Sequence, residues 1–312
     1  MNTAPVVFFI FNRPEVAARV FARIRDSRPA DLLVVGDAAR PDRPGEAERV
    51  ARTRRTVLDG VDWPCRVQTN FAQENLGCRR RVASGLDWAF ERVPEAIILE
   101  DDCLPDPSFF PFCSRLLARH RDDPEVLHIN GTNLAPGALA GGATHRFSRH
   151  AWMWGWAAWA RAWQHYDPDM SGWDRNLAAV RRTFATAWEA SYWLSTWDRA
   201  RRDPRQGDTW DFQWQYSVRA ADGFSLMPAR NLVKNLGFGP EATHTIGDAL
   251  RHLPNIATSV GEPRAPKDGR VDPAAEERFT RSYAGASNGL LAEARARARI
   301  LREQMRRRPV PR

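Results

Sequence analysis

Three short apolar runs and one shorter mixed strand-like stretch alternate with helix-like stretches over roughly the first hundred residues, and that alternation restricts the chain to few folds. Val6 to Phe11 is unbroken apolar sequence that stops at Asn12-Arg13-Pro14, with Pro14 placed to open a helix. Val16, Val20, Phe21 and Ile24 then recur at helical spacing. Leu32 to Val35 is the second run, closed by Gly36-Asp37. After a polar, proline-rich loop, residues 46–58 read as a helix, residues 65–69 as a short third strand, and residues 79–91 as a helix with Val82, Leu86 and Phe90 on one face. Ala96 to Leu99 is the fourth strand and ends in Glu100-Asp101-Asp102. Strands that are apolar on both sides are buried on both sides, so the expectation is an α/β fold with a mostly parallel sheet flanked by helices. Such sheets bind ligands outside the carboxyl ends of their strands. That rule selects Asn12 and Arg13, Asp37, residues 75–81 with Asn75 and Arg81, and the triplet Glu100, Asp101 and Asp102.

At 312 residues and 43% hydrophobic content the chain can bury a sizeable core, which excludes a disordered protein. Its longest purely apolar stretch, Pro5 to Phe11, is seven residues, too short to cross a bilayer, and no charged segment of the signal-peptide kind precedes it. A cytoplasmic location is expected. Cys65, Cys78, Cys103 and Cys113 form no CxxC pair and read as reduced thiols. The formal charge of +8 sits mainly at one end: residues 273–312 hold ten Arg and four Glu, which leaves +2 for the rest. The body therefore lacks the charge of a nucleic-acid-binding surface, and no nucleic-acid partner is expected. Eleven of the thirteen Trp lie between Trp152 and Trp214. Helices are expected there around residues 177–202, and an extended stretch at residues 226–236. Most of these indoles read as core, with Trp156, Trp210 and Trp214 as candidates to line a cleft. Residues 254–273, rich in Pro, Gly and charge, read as a linker, and residues 290–308 as a basic helix.

No GxGxxG follows the first strand, no Walker A motif and no GxSxG elbow occur, and the first strand ends in Asn12 rather than a nucleophilic Asp. Dinucleotide, P-loop, serine-hydrolase and haloacid-phosphatase chemistries are disfavoured. The Glu100-Asp101-Asp102 triplet is the most informative site. Adjacent carboxylates repel and raise one another's pKa, a cost that a divalent cation relieves. Hard oxygen ligands suit Mg²⁺ or Mn²⁺, which keep positions open for a substrate phosphate. Asp102, at the strand-to-loop corner, is the candidate metal ligand, with Asp101 and Glu100 binding ribose or holding the loop. A solvated acidic turn ahead of Pro105 is the alternative.

Residues 96–117 (AIILEDDCLPDPSFFPFCSRLL) resemble the segment around the acidic motif of GT-A nucleotide-sugar glycosyltransferases, in the nucleotide-diphospho-sugar transferase superfamily. In particular they resemble the N-acetylglucosaminyltransferase I type, which begins glycan branching on mannose cores, and its bacterial relatives. Val7 to Arg13, Trp152 to Trp163, Thr209 to Trp214 and residues 231–245 (NLVKNLGFGPEATHT) are similar to further segments in the same order, so the resemblance covers about residues 5–250. It implies a GT-A (Rossmann-like) domain at 1–250, with a nucleotide-sugar-binding half at 1–125 and an acceptor half at 126–250. A linker at 251–272 and a basic helical tail at 273–312 follow. By the same resemblance Asp102 binds Mn²⁺ (or Mg²⁺) that holds the diphosphate of a UDP-sugar donor, and Asp101 lies near the ribose. Asn12 and Arg13 would contact the nucleotide, Asp37 the base, and the arginines up to Arg81 the base or diphosphate. Asp211, in Trp210-Asp211-Phe212-Gln213-Trp214, corresponds to the general base that the family carries in a Trp-Asp-Asp-Trp stretch. Here one acid stands in place of two, and Asp208 is the reserve candidate. His244 corresponds to a late His that many GT-A enzymes supply to the cation, and Gly237 and Gly239 before it would give a loop that closes over the donor. The activity implied is inverting transfer of a sugar to a glycan or lipid-linked acceptor. The basic tail helix would lie peripherally on anionic lipid at the inner face of the membrane. Two alternatives stand beside this: a non-catalytic nucleotide-sugar or glycan-binding protein on a decayed transferase fold, and a hydrolase using paired carboxylates.

Overall fold

The structure is a computed structural model that describes residues 3–137, 139–203, 208–237, 255–266, 269 and 271–285. Its first part alternates as the apolar runs require: β1 (Val6–Ile10), α1 (Pro14–Ser27), β2 (Asp31–Gly36), α2 (Glu46–Leu58), β3 (Arg66–Phe71), α3 (Gly77–Phe90) and β4 (Glu95–Glu100). Pro14 sits at the start of α1, where its missing N–H costs nothing. Then come β5 (Cys103–Pro105), α4 (Phe109–Arg119), β6 (Val126–Asn130), β7 (His145–Ser148), β8 (Trp156–Trp159) and α5 (Ala160–Trp163). The remainder is α6 (Trp173–Arg182), α7 (Ala187–Arg202), α8 (Asp211–Ala220), β9 (Phe224–Pro228), β10 (Val233–Asn235) and α9 (Pro273–Ala284).

Among the described residues, eight strands form one sheet in the order β3-β2-β1-β4-β8-β6-β9-β7, with β8 and β7 reversed against the rest. The architecture is α/β, a mostly parallel sheet flanked by helices, and is compatible with a Rossmann-like arrangement. β5 and β10 pair separately as a short antiparallel ribbon. β1 has β2 on one side and β4 on the other, so the strand order reverses at β1 and a crevice opens beyond the ends of β1 and β4. The register sets Phe9 beside Glu100. Arg13, just past β1, therefore meets the acidic turn that connects β4 to β5.

The main core joins the fully buried faces of β1, β2, β4, β6 and β8 to Phe109, Phe110, Phe112, Leu116 and Leu117 of α4. A second cluster gathers Trp173, Trp193, Trp197, Tyr216 and Phe279. Ten of the eleven Trp between 152 and 214 are buried, and Trp154 is half-buried. Phe279 belongs to α9, so residues 273–284, the first part of the expected tail, are built into the body. Glu276 fixes that helix by accepting from Arg146 Nη1 (2.5 Å), the Ser148 hydroxyl (2.8 Å) and the Arg149 backbone N–H (2.6 Å). Residues 255–266 of the expected linker run along the body: Thr258 donates its N–H to the Asn231 carbonyl (2.7 Å) and Arg264 its N–H to the Thr144 hydroxyl (2.9 Å). The basic helix expected at 290–308 lies outside the described residues. Among the described residues no helix is long and apolar enough to cross a membrane.

Candidate active site

Beyond the carboxyl ends of β1, β2 and β4 lies a cleft of about 660 Å³, a size usual for small-molecule sites. Its walls include Arg13, Asp37, Asn75, Arg81, Glu100, Asp101 and Asp102 from the first half of the chain, and Asp208 and Asp211 from the second. Asn12 is the exception among the expected strand-end residues. Its amide turns away and donates to Glu46 Oε1 (2.8 Å). His244 and Gly239 lie outside the described residues.

Arg13 organises the acidic turn. Its guanidinium bonds the Asp101 carboxylate and reaches Asp102 Oδ2 at 3.1 Å, and the Phe11 backbone N–H donates to the other Asp101 oxygen (3.1 Å). Burial pushes the Asp101 carboxyl up, opposed by Arg13 and reinforced by Asp102. Glu100 is pushed up by burial and then by the Asp102 and Asp101 charges. Arg13 thus neutralises the turn only in part. Asp102 keeps 18% of its side chain exposed. Next to it comes Gly237: a Cβ there would collide with Asp102 Oδ2 and lie 3.0 Å from Asn235 Oδ1.

Asp37 and Asp208 share another task. Asp37 accepts from the backbone N–H groups of Leu76 (3.0 Å) and Gly77 (3.0 Å), and Asp208 from those of Cys78 (2.9 Å) and Arg79 (3.1 Å). The orphan donors at the start of α3 are satisfied by two carboxylates. Gly77 has φ +76°, and a Cβ on it would lie 2.7 Å from Asp208 Oδ2, so only glycine lets Asp208 approach. Asn75 closes the same loop by donating to the Ala38 carbonyl (2.7 Å). Arg81 donates to both oxygens of Asn70, at 3.0 and 2.7 Å. Asp37, Asn75 and Arg81 therefore shape the cleft wall as well as lining it.

Asp211 is the first residue of α8, on the wall supplied by the second half. Its charge is felt across the cleft: it adds to burial and the acidic turn in raising Glu100, and to burial in raising Tyr283 of α9. Of the three Trp expected at a cleft, Trp210 lines it. Trp156 and Trp214 are core instead, because both pack on the buried His128: Trp156 stacks on it at 5.0 Å and Trp214 Nε1 donates to its Nδ1 (3.1 Å). Trp152 and Trp154 take their place on the wall.

A divalent cation fits this site in one way. Asp102 offers a hard carboxylate oxygen at the cleft, but among the described residues no group of three or more His, Cys, Asp or Glu is arranged to hold a metal ion. The remaining ligands would have to come from substrate phosphate and water, as Mg²⁺ and Mn²⁺ sites commonly arrange. Among the described lining residues, three arginines (Arg13, Arg40, Arg81) face six carboxylates (Asp37, Glu100, Asp101, Asp102, Asp208, Asp211). Burial pushes Asp37, Glu100 and Asp101 toward their neutral forms, so the negative excess is smaller than this count, and a cation beside an anionic ligand would offset what remains.

Comparison with known proteins finds no matching family model and no significant match among curated proteins.

Three lining or supporting residues carried no sequence signal. Glu46 is buried and held to about 2 by Arg40, which it binds through the Arg40 side chain (2.5 and 3.0 Å) and backbone N–H (2.7 Å). An acid at the start of a helix is too common to stand out. Arg40 sits in a featureless polar loop. Tyr283 lies beyond the segment that resembles a transferase.

Proposed function

We propose that the chain is a metal-dependent GT-A glycosyltransferase that moves a sugar from a nucleotide-diphosphate sugar, a UDP-sugar by resemblance, to a hydroxyl acceptor with inversion. The observation that carries this is one cleft with an acidic turn at the strand-order reversal on one side and Asp211 on the other. Asp102 would hold Mn²⁺ or Mg²⁺ together with the donor's diphosphate, and the bound cation supplies charge stabilisation for the departing diphosphate. Arg13 adds positive charge at the same place and holds Asp101 and Asp102 in position. Asp37 and Asn75 fix the loop against which the base would lie. Asp211 takes the proton of the acceptor hydroxyl as that oxygen bonds the anomeric carbon, the bond from that carbon to the diphosphate oxygen breaks, and nucleoside diphosphate leaves with the electron pair.

The full chain incubated with a panel of nucleotide sugars, Mn²⁺ and simple saccharide acceptors should release nucleoside diphosphate, and Asp102→Ala and Asp211→Asn should each abolish release. Release that is independent of both residues would overturn the proposal. One feature favours binding without transfer: Arg13 already occupies Asp101 and Asp102 as an internal cation. Nucleotide-sugar binding without any release identifies that reading.

A further inference from the structure

The cleft is also lined by aromatic residues from three elements beyond the acidic strands: Trp152 and Trp154 from the loop before β8, Phe212 from α8 and Tyr283 from α9. They hold each other in place. Tyr283 meets Trp152 edge-on at 4.7 Å and lies flat on Trp193 at 5.3 Å and 5°. Trp152 meets Trp154 edge-on at 5.4 Å. Two buried donors belong to residues of the same wall. The Trp152 indole N–H and the Thr209 hydroxyl have no hydrogen-bond partner among the described residues, although both side chains line the cleft. A buried donor left unpaired carries a desolvation cost that a ligand oxygen removes.

A ligand that suits this wall has a flat apolar face, several hydroxyls and no negative charge, since Asp208 and Asp211 line the cleft from the same half of the chain. A sugar ring has that surface: C–H bonds on its faces and hydroxyls around its edge. We propose that Trp154, Phe212 and Tyr283 form the platform for the acceptor, an uncharged saccharide, with the Trp152 indole and the Thr209 hydroxyl donating to its ring hydroxyls and a further hydroxyl turned to Asp211. Naming this saccharide the acceptor rests on the transferase reading. The consequence is that α9, outside the first 250 residues, helps to choose the acceptor.

The test uses the full chain in two parallel titrations: uridine diphosphate with Mn²⁺, and a panel of methyl α-mannoside, methyl β-glucoside, methyl β-galactoside and N,N′-diacetylchitobiose followed by saturation-transfer NMR and Trp fluorescence. At least one saccharide binds, and Trp154→Ala, Tyr283→Ala and Thr209→Val each weaken it about tenfold or more while uridine diphosphate affinity stays within about twofold. Thr209→Val keeps the side-chain volume, so it decides the matter if Tyr283→Ala, which opens space beside Trp193, fails to fold. Unchanged saccharide affinity in the variants overturns the platform, as does a wild-type chain that binds uridine diphosphate but no saccharide. Failure to bind uridine diphosphate sinks the transferase reading alone, and the saccharide titration then still decides the platform.

Discussion

Arg13 holds two carboxylates of the acidic turn at once, with its own side chain 15% exposed and that of Asp101 only 4%. Removing the guanidinium leaves Asp101 buried without its charge partner. Arg13→Met should therefore lower stability by about 3 kcal/mol in a urea titration, and unchanged stability would show that the pair contributes nothing to the fold. Gly237 tests the same turn from the other side. Its missing Cβ leaves room for the Asp102 carboxylate, which Arg13 prevents from moving freely. Gly237→Ala should weaken Mn²⁺-supported uridine diphosphate binding about tenfold with little change in thermal stability. Equal affinity in the two proteins would remove Gly237 from the site. Most of the residues on the acidic side of the cleft were legible in the sequence, because a strand end followed by polar or acidic residues announces itself. Asn12 was legible as a strand end but not as a partner of Glu46. Which way a side chain turns at a strand end depends on the start of a helix 34 residues away.

The elements of the first half were readable because β1, β2 and β4 are buried on both faces and show as continuous apolar runs. β3 is an edge strand of half-exposed residues and was legible only as a fragment. The second half gave less. β8 is Trp-Ala-Ala-Trp, without the β-branched residues that mark a strand, and it is a strand because it fills the slot between β4 and β6. α9 looked like the start of a charged tail because Glu276, Glu277, Arg278 and Arg281 are all polar. Glu276 is nevertheless buried against Arg146 and the Arg149 N–H, a partnership no local pattern reveals. Glu276→Ala should cost about 3–5 kcal/mol, and far-UV circular dichroism and Trp fluorescence should report one shared transition, since α9 is part of the core. Early, separate loss of α9 would show it to be an appendage.

At the scale of the whole molecule, two buried histidines set the acid limit. Burial holds His128 at about 3 and His145 at about 4, both below the ordinary value near 6.5. The unfolded chain therefore takes up protons first as pH falls through about 6.5. Stability is full above that value and declines toward pH 3–4, by up to about 1.4 kcal/mol per pH unit for each histidine. The lowered carboxyls of Glu189 and Glu276, held down despite burial by His150, with Arg146 also acting on Glu276, extend the loss at lower pH. The urea midpoint should be lower at pH 5 than at pH 7.5, and equal midpoints would contradict neutral burial of the two rings. The same whole-molecule electrostatics bear on function. Among the described lining residues the cleft sets six carboxylates against three arginines, and the proposed function has the diphosphate enter with a cation that it shares with Asp102. Calorimetric titration of uridine diphosphate into the full chain, with Mn²⁺ and then with EDTA, measures this directly. Binding that needs Mn²⁺ and disappears in Asp102→Asn is the predicted result; equal affinity with and without the metal, or affinity indifferent to that substitution, would contradict it.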